Sequence, residues 1–333
     1  MGAILARLFP PEFQPAHMPD LSGKACILDP CVVKCMLNFC SQIAIVTGGN
    51  AGCGYHTVKQ LLLKNATVYL AARSLDKAFD AINRLKAETG RSAIFLQLDL
   101  ADLRSVRKAA EEFLAKESKL DFLFNNGGVM ISPPEMLTAQ NHDLQFGTNV
   151  IGHFFLTELL LPALSASHAA SQIPARVVHT SSAGYRFAPG RGVEFTSLKG
   201  GPERDAWIQN AGSFKGPWKL YGQSKLANIL ISNHFAKKHS DVLVSCAVHP
   251  GAIRTELVRH AALWIRLLEP LYKSPAPMGA YTQLWGATVA TPAQMTGQYL
   301  IPWGKVGDAG PRAADVKLEE EVVAYIREQV AGY

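Results

Sequence analysis

The chain has 333 residues, 48% hydrophobic and 18% charged, enough to bury a large core in one extended α/β domain or two small ones. Its formal charge of +6 comes from scattered Lys and Arg without aromatic-interleaved basic stripes or zinc-finger spacings, which argues against a nucleic-acid partner and leaves a local anion site as the use for the charge. Six cysteines in so long a chain make no disulfide framework, Met1 to Arg7 lacks the basic start of a secretory signal, and no apolar run reaches the roughly 18 residues of a spanning helix, so a cytoplasmic protein without a transmembrane segment is expected.

Residues 1–42 read as an N-terminal arm, extended by Pro10, Pro11, Pro15 and Pro19, followed by an apolar insertion over 25–42. Cys26, Cys31, Cys35 and Cys40 crowd into that insertion. Their spacings lack paired C-x-x-C knuckles, so packing is preferred over a zinc site and no metal is expected.

Residues 43–305 then alternate regularly. Strand-like runs at 43–46, 66–72, 93–98, 121–124, 176–180 and 242–248 are separated by helical spacing at 75–89, 103–116, 141–164 and 221–238. Short strands alternating with helices imply parallel crossovers, hence a single doubly wound Rossmann domain with helices on both faces. Two stretches break the rhythm: an inserted loop at 183–220, rich in Gly, Pro and Trp, and an apolar segment at 256–278 interrupted by Pro270, Pro275 and Pro277, which reads as a substrate cover. The tail at 306–333 carries one amphipathic helix at 316–330.

Two motifs carry the chemistry. Thr47-Gly48-Gly49-Asn50-Ala51-Gly52-Cys53-Gly54 follows the first strand and opens a helix, where glycines permit a sharp turn, close approach of a diphosphate, and a helix N-terminus aimed at the anion. Far downstream, Tyr221 and Lys225 lie four residues apart and therefore on one helix face. A phenol with an ordinary pKa near 10 is a sluggish acid and too weak a base until positive charge stabilises its anion, which an adjacent ammonium can do.

With Asp99-Leu100, Asn125 to Gly128, Asn149 to Phe154, Thr180-Ser181-Ser182 and His249 to Thr255 in the same order, residues 41–304 resemble the short-chain dehydrogenase/reductase family, in particular its retinol-dehydrogenase-like and fungal carbonyl-reductase groups. The resemblance implies a seven-stranded parallel sheet of order 3-2-1-4-5-6-7 with a nicotinamide cofactor at the carboxyl ends of the strands. It implies that Gly48, Asn50, Gly52, Cys53 and Gly54 form the dinucleotide loop, that Asp99 contacts adenine, and that Asn126 holds the fourth strand against the cofactor. Pro250, Gly251 and Thr255 would lie at the nicotinamide, with Thr255 on its carboxamide. Lys225 would grip the ribose as well as tune Tyr221, Ser182 would hold the substrate oxygen, and Asn149 would hold a water in the proton relay.

Cofactor choice is readable from the residues themselves. An acid about 20 positions after the glycines usually binds the ribose hydroxyls of NAD, but here Arg73 stands nineteen positions after Gly54, so NADP (NADPH) is preferred over NAD. Phe187, Phe195, Trp207, Phe214 and Trp218 in the inserted loop suit a lipophilic pocket, or equally the packing of an inserted subdomain. The sequence thus points to an NADPH-dependent enzyme interconverting a carbonyl and an alcohol on a hydrophobic small molecule, with a nucleotide-binding regulatory protein as the alternative and a homo-oligomer left open.

Overall fold

The computed structural model describes residues 11–22, 41–253 and 274–333. The four clustered cysteines, Thr255 and most of the expected cover at 256–278 lie outside the described residues.

In chain order the elements are β1 (Ile43–Thr47), α1 (Gly52–Leu63), β2 (Thr67–Ala72), α2 (Leu75–Thr89), β3 (Ile94–Gln97), α3 (Leu103–Leu114), β4 (Phe122–Asn125), α4 (Leu144–Ser171), β5 (Ala175–Thr180), α5 (Pro202–Ala211), α6 (Lys215–Lys238), β6 (Leu243–Val248), α7 (Tyr281–Thr288), α8 (Pro292–Met295), β7 (Gln298–Ile301), β8 (Lys305–Gly307) and α9 (Val316–Val330). The strands form one sheet of order β3-β2-β1-β4-β5-β6-β7-β8. All neighbours are parallel except β7 and β8. The doubly wound α/β fold therefore stands, but the expected seven-stranded sheet gains an eighth, antiparallel edge strand. Its hairpin joins Ile301 to Lys305 through a three-residue turn ending on Gly304 at φ +79, the left-handed position that such hairpins place on glycine. Three residues, one of them a charged lysine, are too short a run to read as a strand.

Helices on both faces explain why β1 is apolar from Ile43 to Val46. Along β1, Ile43 and Ile45 enter one buried cluster while Ala44 and Val46 enter the other, so no face is left for polar residues. Side-chain caps mark several helix starts: Asp102 accepts from Arg104 N before α3, and Asp315 accepts from Leu318 N before α9. Helix α4 is long and apolar enough to cross a membrane by length and composition, yet 67% of its apolar window is buried against the sheet and its neighbours.

The inserted stretch at 183–220 is not a plain loop. It contains α5, which begins on Pro202, and the first turn of α6, which starts six residues before Tyr221. Proline signals a loop in sequence, but Pro202 opens a helix and Pro217 lies in a first turn, where no intrahelical N–H bond is required. The five aromatics of this stretch are divided among different surroundings. Phe195 packs edge-on to Tyr325 of α9, Phe187 meets Trp218 at 5.1 Å between ring centroids, and Phe214 is 73% exposed.

Both interruptions of the fold are closed at their bases. Gln42 N donates to Leu21 O at 2.9 Å, so the chain leaves for the cysteine-rich stretch and returns at one point. Ser274 N likewise donates to Ala252 O at 2.7 Å, closing the excursion after β6.

Candidate active site

The glycine loop lies at the carboxyl end of β1. Gly48 adopts φ +65, and a Cβ on Gly54 would run into the Gly48 carbonyl oxygen and Asn126 Nδ2, so loop and helix start are in direct contact. Asn126 Nδ2 donates to Thr47 O at 2.8 Å, joining the end of β4 to the end of β1. The residue capping α1, Ala51, offers no side-chain oxygen, which leaves the first-turn N–H groups of a 12-residue helix for an external anion. A glycine-rich cradle against an uncapped helix start fits a dinucleotide diphosphate.

Around this cradle, Arg73 is exposed immediately after β2, with no acid at the strand tip. Asp99, two residues past β3, uses Oδ1 to accept from Ala101 N at 2.9 Å, so it shapes its own turn while keeping a second oxygen. Asn50 sits in the turn between β1 and α1, and Gly52 is the first residue of α1. Cys53 lies beneath the returning chain, where a Cβ on Gly279 would collide with its Sγ. Burial pushes the Cys53 thiol up to about 12, the opposite of a reactive thiolate. Past β6, Pro250 and Gly251 are partly exposed, and Gly251 N donates to His249 Nδ1 at 3.3 Å.

Tyr221, Lys225, Ser182 and Asn149 converge beside the loop. Burial pushes the Tyr221 hydroxyl up to about 12, opposed by a hydrogen bond with Ser182, so the phenol holds its proton at neutral pH. Ser182 Oγ is itself fixed by accepting from Gly184 N at 3.0 Å. Lys225 Nζ donates to Thr180 O at 2.8 Å and stands 5.7 Å from the Tyr221 ring centroid. Burial drives its ammonium down to about 7. Asn149 falls within a π-turn at Gly147–Ile151 in the course of α4, an irregularity common at functional sites. Its side chain is held at both ends: Oδ1 accepts from Val129 N at 2.9 Å, and Nδ2 donates to Val129 O and Ser224 Oγ, both at 3.0 Å.

Several polar residues that hold this arrangement are given no site role by the sequence, although most lie inside the motifs above. Ser224 Oγ donates to Tyr221 O at 2.8 Å, and Ser181 Oγ donates to Lys225 O at 2.7 Å, pinning the backbone of the Tyr221–Lys225 turn. Gln283 of α7 bonds Thr57 of α1 and accepts from Thr180 Oγ1 at 3.3 Å, so one amide joins the nucleotide helix to the end of β5. His153 contacts both Thr47 and Asn149. Nothing in the local sequence pairs residues so far apart. Among the described residues, no group of three or more His, Cys, Asp or Glu could hold a metal.

A nucleotide cradle at the carboxyl edge of a doubly wound sheet, with half-buried Ser182 and buried Tyr221 and Lys225 beside it, has the layout of a nicotinamide-dependent oxidoreductase. The family model described as short chain dehydrogenase matches residues 42–201. A short-chain dehydrogenase/reductase of Armillaria gallica is 42% identical over 334 residues, covering 99% of this chain and 98% of that protein. Retinol dehydrogenase 11 of Mus musculus is 37% identical over 262 residues, covering 78% of this chain and 77% of its own length. Among solved structures, the NADP active-site complex of Pseudomonas aeruginosa RhlG is 25% identical at a TM-score of 0.58, covering 79% of this chain and 95% of that one. The chain belongs to the short-chain dehydrogenase/reductase family.

Proposed function

We propose that this oxidoreductase is NADP(H)-dependent and interconverts a carbonyl and an alcohol on a hydrophobic small molecule. The observation that carries the reading is the placing of a buried, protonated Tyr221 hydroxyl against Ser182 and one helical turn from Lys225, beside the glycine cradle. A bound nicotinamide would supply or accept the hydride. In the reductive direction Ser182 orients the substrate oxygen and Tyr221 donates its proton to it, while the charge on Lys225 offsets the phenolate left behind. Asn149, through a water on its turn of α4, returns a proton toward Lys225.

Gly48, Asn50, Gly52, Cys53 and Gly54 are assigned to the diphosphate, Asp99 and Asn126 to the adenine side and the strand ends, and Pro250, Gly251 and Thr255 to the nicotinamide. Arg73 favours the 2′-phosphate of NADP, because a guanidinium at the tip of β2 pairs with phosphate and no acid there binds the ribose diol. The exposed aromatics of the 183–220 stretch and the printed name of the retinol dehydrogenase relative support an apolar substrate.

The direct test is absorbance at the nicotinamide band with NADPH and NADH against apolar aldehydes and ketones. Turnover with NADPH in preference to NADH supports the assignment. Tight nucleotide binding without turnover across the panel would favour a regulatory nucleotide-binding protein instead.

A further inference from the structure

His153 links two parts of the site that are far apart in sequence. On α4, one turn beyond Asn149, its Nδ1 lies 2.9 Å from the Asn149 carbonyl oxygen and its Nε2 lies 2.8 Å from Thr47 Oγ1. All three residues are essentially inaccessible to water. A carbonyl oxygen only accepts, so Nδ1 carries the proton and donates. Nε2 is then bare and accepts from the Thr47 hydroxyl, which in turn accepts from Gly127 N at 2.8 Å. The other acceptor open to that hydroxyl, Phe124 O, is farther away at 3.2 Å. Burial holds the imidazole down to about 4, so it stays neutral and this arrangement of protons persists through the physiological range.

Thr47 is the last residue of β1 and its peptide leads into the glycine loop. Asn149 occupies the π-turn beside Ser224 and the Tyr221–Lys225 face. The imidazole is thus a rigid strut from the base of the nucleotide cradle to the turn that carries Asn149. We propose that His153 is a positioning residue of the proton relay, which as the Nδ1–H tautomer fixes the Asn149 carbonyl and sets it against the end of β1, so that cradle and relay keep one geometry. The proposal rests on the oxidoreductase reading above. His153 itself is assigned to neither the substrate nor the nucleotide, so its loss is read in turnover rather than in nucleotide capture.

Two amide side chains separate the ends of the strut. His153→Asn places an N–H near the Nδ1 position and keeps the bond to Asn149, whereas His153→Gln reaches Thr47 and leaves the Asn149 carbonyl free. The expected result is a kcat for His153→Gln reduced about tenfold or more with NADPH Kd within about twofold of the parent, and a kcat for His153→Asn within about threefold. Equal kcat in both variants, or a loss that tracks NADPH Kd, overturns the proposal. Imidazole nitrogen NMR of the histidine-labelled parent makes the test independent of variant folding. A protonated Nδ1 and bare Nε2 in the His153 signal at neutral pH are required, and the reverse tautomer overturns the proposal. Failure of the oxidoreductase reading would show differently, as absence of turnover in the parent itself, which removes the relay and the proposal with it.

Discussion

Arg204 Nη2 and Asp143 Oδ2 meet at 3.0 Å with each side chain only 2% exposed. The pair fastens α5 of the inserted stretch to the start of α4, because Asp143 Oδ1 also accepts from Gln145 N and Phe146 N at the head of that helix. A second guanidinium bond runs from Arg204 to Pro134 O at 2.6 Å. The insertion is therefore anchored to the helix that carries Asn149.

Removing one partner leaves a buried charge without compensation. Arg204→Ala is expected to cost about 3 to 5 kcal/mol of folding stability, measured by urea unfolding, with Asp143→Ala in the same range. A loss under about 1 kcal/mol for both would mean that water reaches the pair freely.

Tyr221→Phe deletes the hydroxyl and leaves the ring packed against Gly184. Turnover should fall by about a thousandfold or more while NADPH Kd changes by less than about threefold, since the role proposed for the hydroxyl is in the chemical step rather than in cofactor capture. Turnover within tenfold of the parent would take Tyr221 out of the proton-donating role.

The pH response follows from Lys225. Burial lowers its ammonium to about 7, so it is charged below that pH and neutral above it. On the proposed reading this charge offsets the Tyr221 phenolate and grips the ribose, so kcat/KM, which reports the free enzyme, should decline through about 7 as the charge is lost. Lys225→Met should lower both kcat and nucleotide affinity and abolish that limb of the profile. An unchanged limb in the variant would assign it to another group.

For cofactor choice, Arg73→Asp exchanges the proposed phosphate partner for a like charge. NADPH affinity should drop by about tenfold or more relative to NADH, read by fluorescence titration of both nucleotides. Equal losses would show that Arg73 does not read the 2′-phosphate.

The hydrogen bond between Gln42 N and Leu21 O bears on the cysteine-rich stretch. Deleting residues 24–40 leaves Ser22, Gly23 and Ser41 between the bonded pair, the length of an α-turn. The shortened chain should fold, keep its NADPH affinity and be at least as soluble, because an apolar segment has been removed. Loss of folding, or stoichiometric zinc in the purified parent, would make the segment structural.

The sequence by itself determined the alternation of strands and helices, the glycine turn and the pairing of Tyr221 with Lys225. Each of these is a local pattern: a period of two or 3.6, a residue type required by backbone geometry, or a spacing that shares one helix face. Tertiary structure decided what depends on partners distant in the chain. The short edge strand β8 exists because β7 supplies its hydrogen bonds, and α5 became a fixed element because Arg204 found Asp143, sixty-one residues away. The protonation of Tyr221 and Lys225 belongs to the same class. Their spacing suggested mutual tuning, but their acidities follow mainly from burial, a property of the folded interior that no stretch of four residues contains.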